Sequence, residues 1–309
     1  MGQIRFHQKN ATHFVTNRCE HEMFLLLPHK TTNELILFWL AKAKTKFGDG
    51  IEIFGFVFLS NHFHILLRDT KGQLAKFMGY FQANLAKSVN SDIGRRGTFW
   101  AREYDDVIVD GEEEFWDRYA YVLCNPVKSG LVATPLQWGG VSSLSHTLEN
   151  KPVQITGINK TLFNEARRFG RKADPKDFEE TYEFKPTTPP AWKYWPHEKR
   201  KGALQGLVAS ACTKYRKDRL GKPALGMRKV MGQQPTDSPR NPASRPRFKF
   251  FCLDKERLKG LKAAYRQFVG YYRECLGALF HNLNNPRRVA QIQWPEWGYP
   301  PTCHVPVGF

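Results

Sequence analysis

The first 150 residues predict an α+β fold, an antiparallel sheet with helices packed on it, and three observations carry that prediction. Short apolar runs of strand length recur near 11–19, 51–59 and 62–67, with Ser60-Asn61 breaking the last two apart. Segments 32–47 and 72–92 place apolar residues at helical spacing. The elements then follow in the order strand, helix, strand, strand, helix, strand, helix, which suits helices layered on one sheet.

Each element has its own justification. Leu35, Phe38, Trp39 and Ala43 give the first helix its stripe, and Leu74, Phe77, Met78, Phe81, Leu85 and Val89 give the second its own. Gly94-Arg95-Arg96-Gly97 punctuates the end of the second helix, with Arg95 and Arg96 offered as DNA contacts, and Trp100 reads as core. A strand at 104–109 leads into a helix whose N-terminus is marked by Asp110 as cap and by Glu112, Glu113 and Glu114 in the first turn. That helix is expected to close around Asn125-Pro126, because proline disfavours helical geometry in the residue before it. Phe115, Tyr119 and Val122 share its apolar face, whereas Tyr121 falls on the flank with Asp117 and Asn125. Tyr119 therefore reads as a core aromatic and Tyr121 as the tyrosine available for chemistry, the commoner alternative for Tyr121 being a wet surface residue.

His62-Phe63-His64 is the most informative stretch. Side chains alternate along a strand, so both imidazoles project from one face while Phe63 and Ile65 point to the other. Their Cα atoms would lie about 6.7 Å apart, close enough to converge on one ion. Spacing alone supports equally a metal site and two ordinary sheet histidines. His13 and His21 are further ligand candidates, with ordinary surface roles the commoner reading.

Charge is unevenly distributed. Residues 1–150 hold 16 Lys and Arg against 16 Asp and Glu, so the whole net charge of +18 lies in residues 151–309, with 31 basic and 13 acidic residues. Basic residues interleave with aromatics there, as in Trp192-Lys193-Tyr194-Trp195 and Lys214-Tyr215-Arg216-Lys217. This pattern suits a phosphate-backbone binder with stacking side chains, Lys214, Arg216 and Lys217 being named contacts. A solvated basic surface is the bland alternative.

In order along the chain, Ala11 to Cys19, Asn61-His62-Phe63-His64-Ile65-Leu66-Leu67, Phe99-Trp100, the strand 104–109 and Tyr121-Val122-Leu123-Cys124-Asn125-Pro126-Val127-Lys128-Ser129-Gly130-Leu131-Val132 carry a resemblance. Over about residues 8–145 the chain resembles the single-tyrosine HUH transposases, specifically the REP-associated tyrosine transposase branch. The resemblance implies a ferredoxin- or RRM-like sheet core forming an HUH catalytic domain at 1–147, and the charge and helical pattern beyond it make 148–309 a basic, mainly helical DNA-binding or accessory region. It implies that His62 and His64 hold a divalent ion, Mg²⁺ or Mn²⁺, that Tyr121 is the nucleophile, and that Asn125 completes the metal site. An imidazole set would by affinity prefer Zn²⁺, so the working metal rests on the resemblance. The implied activity is cleavage and strand transfer on single-stranded DNA, with a hairpin or palindrome beside the cut, by a monomer or homodimer.

Two rivals stand beside this reading, a DNA-binding regulator that never cuts and a metal-dependent phosphodiesterase that uses water in place of Tyr121. The sequence has no apolar run of about twenty residues for a membrane span, and its start lacks a signal-peptide core. Cys19, Cys124, Cys212, Cys252, Cys275 and Cys303 show no Cys-x-x-Cys pair, so reduced thiols and a cytoplasmic location are expected. Beyond 148 the reading is coarser: a linker at 185–190, helices near 197–218 and 254–280, a flexible loop at 238–247 and an aromatic clasp at 294–301.

Overall fold

The computed structural model describes residues 5, 6, 8, 10–170, 172–239 and 249–295. Most of the expected loop at 238–247 and of the clasp at 294–301 lies outside the described residues. Strands β1 (Ala11–Arg18), β2 (Ile51–Phe58), β3 (His62–Asp69) and β4 (Asp105–Val109) alternate with helices α1 (Lys30–Phe47), α2 (Leu74–Asp92) and α3 (Glu112–Lys128). The expected α+β fold is what is found. The sheet runs β2-β3-β1-β4 antiparallel, and a short strand from far downstream, β7 (Phe250–Phe251), joins it parallel to β4.

Alternation sorts the sheet into two faces. Val15, Phe63, Ile65 and Leu67 pack under α1 and α2 with Phe77, Phe81 and Trp39. Phe14, Leu66 and Val109 face the opposite way, under α3, with Tyr119, Val122 and Leu123. Both helical layers are anchored by side chains from the strands. Asp69, at the end of β3, accepts from the backbone N–H groups of Gln73 and Leu74 at 2.9 Å each, so a strand residue caps α2.

Residues after 140 form α4 (Leu144–Glu149), the ribbon β5 (Val153–Ile158) and β6 (Glu179–Phe184) with α5 (Lys160–Arg168) between them, α6 (His197–Asp218), α7 (Met227–Met231), α8 (Lys255–His281) and α9 (Pro286–Ala290). The ribbon lies against α1, where Phe38 meets Tyr182 edge-on at 5.6 Å. Helix α6 packs along α3 through Leu204, Ala211, Cys212 and Tyr215. No helix among the described residues is long and apolar enough to cross a membrane.

Three local expectations need correction. Asp110 does not cap α3. Gly111 occupies that position with φ 134°, and Asp110 instead accepts from Arg257 at 2.6 Å. Only glycine suits that backbone, since a Cβ there would lie 1.9 Å from a Glu114 carboxylate oxygen. Nor does α3 close at Asn125. It runs through Pro126 to Lys128, because the fixed φ of proline is itself helical, and Gly130 at φ 72° ends it. The segment at 185–190 is not a free linker, since Thr187 donates to the Ile53 carbonyl along the β2 edge at 2.6 Å. The region beyond 148 is mainly helical, as expected, and also holds β5, β6 and β7. The cysteines within the described residues are free thiols, and Cys124 of α3 meets Cys212 of α6 with sulfurs 3.8 Å apart.

Candidate functional site

On β3, His62 pairs with Arg18 and His64 with Thr16 of β1, so both histidines stand on the α3 face, as alternation requires. Their ring centroids are 5.0 Å apart at 81°. The Tyr121 ring meets the His64 ring edge-on at 5.2 Å. Phe14 of β1 closes the group, stacked on His64 at 5.1 Å and edge-on to Tyr121 at 5.6 Å. Three residues that the sequence singled out from segments about sixty positions apart thus form one cluster.

The tautomer of His62 follows from its neighbour. Asn61 donates its amide N–H to the Glu22 carbonyl at 3.0 Å, which turns its carbonyl oxygen toward His62 Nδ1 at 2.6 Å. An amide oxygen only accepts, so Nδ1 must carry the proton and Nε2 the lone pair. This is the outer support expected of a metal-binding imidazole. The two imidazoles of His62 and His64 suit a divalent ion that takes its remaining ligands from oxygen donors such as phosphate and water. No group of three or more His, Cys, Asp and Glu side chains that could hold a metal occurs among the described residues.

The tyrosines divide as expected in one respect and not in another. Tyr119 is 0% exposed in the second core, and burial pushes its phenol well above the usual range. Tyr121 is also buried, at 8% exposure, with its ring against Phe14 of β1 and His64 of β3. Helical spacing marked the apolar stripe of α3 and could not register that the sheet also covers this flank. Asn125 sits one turn after Tyr121 at 1% exposure, its side-chain oxygen accepting from the Ser129 hydroxyl at 3.0 Å.

The other candidates lie apart from the cluster. His13 is fully buried on the opposite sheet face, 3.6 Å from the Asp106 carboxylate, and His21 is exposed beside Glu20. Neither joins the histidine pair, because the parity of β1 turns His13 away from it. Arg95 and Arg96 follow α2 in a loop tied to the His62 end of the sheet, where Ala101 donates to the Arg18 carbonyl and Cys19 to that of Asn61. Arg96 is exposed, and Arg95 donates to the Asn90 side chain at 3.1 Å. Lys214, Arg216 and Lys217 are exposed on α6, with Arg216 donating to the Ala133 carbonyl at 2.8 Å.

Two residues that the sequence reading passed over belong to the site. Lys128 Nζ is 4.1 Å from the Tyr121 ring centroid, and Arg118 Cζ is 5.3 Å from it. Their positions three residues before and seven after Tyr121 on one helix were a usable signal, masked by the expected helix end at Asn125.

No family model matches the chain, and no curated protein matches it. Similar solved structures include a REP-associated tyrosine transposase bound to a REP hairpin, at 18% identity and a TM-score of 0.41, over 48% of this chain and 86% of that one. Another is a protein of Deinococcus radiodurans R1 carrying a provisional transposase name, at 14% identity and a TM-score of 0.27, over 35% of this chain and 85% of that one.

Proposed function

We propose that the chain is a transposase-like enzyme that cuts and rejoins a single DNA strand through a covalent bond to Tyr121, with a divalent ion held by His62 and His64. The observation that carries this reading is the juxtaposition of the Tyr121 ring with the His64 ring at 5.2 Å, beside His62 at 5.0 Å from His64. The Tyr121 oxygen bonds to phosphorus, the bond from phosphorus to one deoxyribose oxygen breaks, and that oxygen takes a proton from solvent to leave as a sugar hydroxyl. The phenolic proton passes to solvent. The phosphotyrosine is itself a phosphodiester, so a second sugar hydroxyl can reverse the exchange with little net change in bond energy. When bound, Mg²⁺ or Mn²⁺ would polarise the scissile phosphate and offset its charge. Asn61 orients His62, and Asn125 is proposed as a further oxygen donor. The +18 charge beyond residue 150 supports a polyanionic substrate, with Arg96, Lys214 and Lys217 on exposed surface for its backbone.

The test is a denaturing gel of labelled single-stranded DNA bearing a hairpin, incubated with the full chain and Mn²⁺. A slow-migrating covalent adduct is expected, absent with EDTA and in the Tyr121→Phe and His64→Ala variants. An adduct persisting in Tyr121→Phe refutes the nucleophile. Cleavage without any adduct favours a water-using phosphodiesterase, and binding without cleavage favours a regulator.

A further inference from the structure

The two cations on Tyr121 are each backed by an aromatic ring from beyond residue 150. Lys128 Nζ lies 4.1 Å from the Tyr121 centroid and 5.5 Å from that of Tyr215 on α6. Arg118 Cζ lies 5.3 Å from the Tyr121 centroid and 3.8 Å from that of Phe251 on β7. Both rings are firmly seated. Tyr215 is buried in the contact between α3 and α6. Phe251 is in register with Val109 of β4, and the chain after it is tied back to α3, Leu253 N–H donating to Glu114 at 2.6 Å.

We infer that residues 151–309 complete the strand-transfer site: Tyr215 and Phe251 are positioning residues that hold Lys128 and Arg118 against Tyr121, where the two cations take the scissile phosphate. The inference rests on the strand-transfer reading above and adds to it a role for the basic region in chemistry as well as in grip. The physical case has three parts. A cation over an aromatic face is attracted to the ring without being neutralised by it, so the ring fixes the cation's place beside Tyr121. Arg118 donates to Asp117 at 3.0 Å through one terminal nitrogen, while its buried Nε has no hydrogen-bond partner within the described protein. An Arg and a Lys converging on a prospective nucleophile are, moreover, suited to a tetrahedral phosphate with charge on several oxygens.

The experiment measures single-turnover adduct formation by the full chain at saturating hairpin DNA, and separately the DNA dissociation constant in a Tyr121→Phe background. Lys128 is exposed, so Lys128→Gln leaves the fold intact and is expected to slow adduct formation at saturation by roughly tenfold to a hundredfold. Tyr215→Leu is expected to slow it about tenfold, with the dissociation constant changed by less than about twofold, and Tyr215→Phe, which keeps the ring, is expected to restore the rate. Should Tyr215→Leu fail to fold in a thermal melt, Lys128→Gln and Tyr215→Phe carry the test. Wild-type rates at saturation in Lys128→Gln overturn the inference while leaving the strand-transfer reading intact. A loss confined to the dissociation constant does the same. A wild-type chain that forms no adduct at all removes both.

Discussion

In the proposed metal site, removing the amide of Asn61 should weaken binding of the ion without touching a proposed ligand. The Asn61 oxygen accepts from His62 Nδ1 at 2.6 Å, and its amide nitrogen donates to the Glu22 carbonyl at 3.0 Å. In Asn61→Ala the His62 ring loses the contact that selects its tautomer and fixes its rotation. Loss of such a partner lowers metal affinity by roughly tenfold to a hundredfold, which is about 1.4–2.7 kcal/mol. Folding loses two part-buried hydrogen bonds, about 1 kcal/mol each. The assay is single-turnover adduct formation across a Mn²⁺ titration. Asn61→Ala should raise the Mn²⁺ concentration at half-maximal rate by that tenfold to hundredfold, with the rate recovered at saturating metal. Asn61→Asp keeps an acceptor facing Nδ1 and gives up only the donor to Glu22, so its midpoint should stay near that of wild type. An unchanged midpoint in Asn61→Ala, or a loss of rate that no Mn²⁺ restores, would refute the argument.

Three other outcomes follow from the structure. A Cβ added at Gly55 would sit 3.1 Å from Cε2 of fully buried Tyr119, so Gly55→Ala should cost about 1–3 kcal/mol and lower the melting temperature by a few degrees; an unchanged or raised melting temperature counts against it. Binding of single-stranded DNA should weaken with salt along a log–log slope of about −2 or steeper, for three or more phosphates contacted, and a flat slope would remove the basic region from DNA binding. Burial raises the Glu180 carboxyl, but hydrogen bonds from Lys42, Asn159 and Tyr182 outweigh it and hold the group below its usual range. Its stabilising contribution is therefore present above the ordinary carboxylate range, near ~4.3, and is lost as pH falls through its lower folded value. Hydrogen exchange in β6 should accelerate in that acid window for wild type, and Glu180→Gln should abolish the pH dependence. Identical profiles for the two proteins would disprove it.

What was legible in the sequence was whatever a local period determines. Alternation along 62–67 put His62 and His64 on one face and Phe63 and Ile65 on the other, and helical spacing set Tyr119 into the core. What was illegible depends on contacts between distant segments. Strand β7 is two residues long and forms only because β4 offers an edge. The β5–β6 ribbon is mostly polar and exposed, with Ile155, Tyr182 and Phe184 packed on the first core, too few to signal a sheet. The burial of Tyr121 needed Phe14 of β1 and His64 of β3, more than fifty residues upstream. Pro126 misled for another reason. Proline removes one donor and crowds the preceding turn, yet its backbone angle is helical, so packing on both sides of α3 can carry the helix past it.

That extra turn alters how the charge should be understood. Summed over residues 1–150 the charge is zero, which assigns electrostatics to the remainder of the chain. Residues 101–150 are more extreme still, with only Arg102, Arg118 and Lys128 as cations against nine Asp and Glu. Yet two of those three cations stand on the Tyr121 ring, while Glu112 and Glu113 of the acidic turn lie exposed at the far end of α3 and Glu114 is held by the Leu253 backbone. Coulomb interactions fall with distance and are screened over about 8–10 Å. A phosphate approaching Tyr121 therefore meets Lys128, and Arg118 in its pair with Asp117, before the segment average. Had α3 stopped at Asn125, Lys128 would have left the helix and the cation–ring geometry would be lost. The proline that seemed to end the helix is followed by the residue that brings positive charge to the site, and an α6 aromatic is there to receive it.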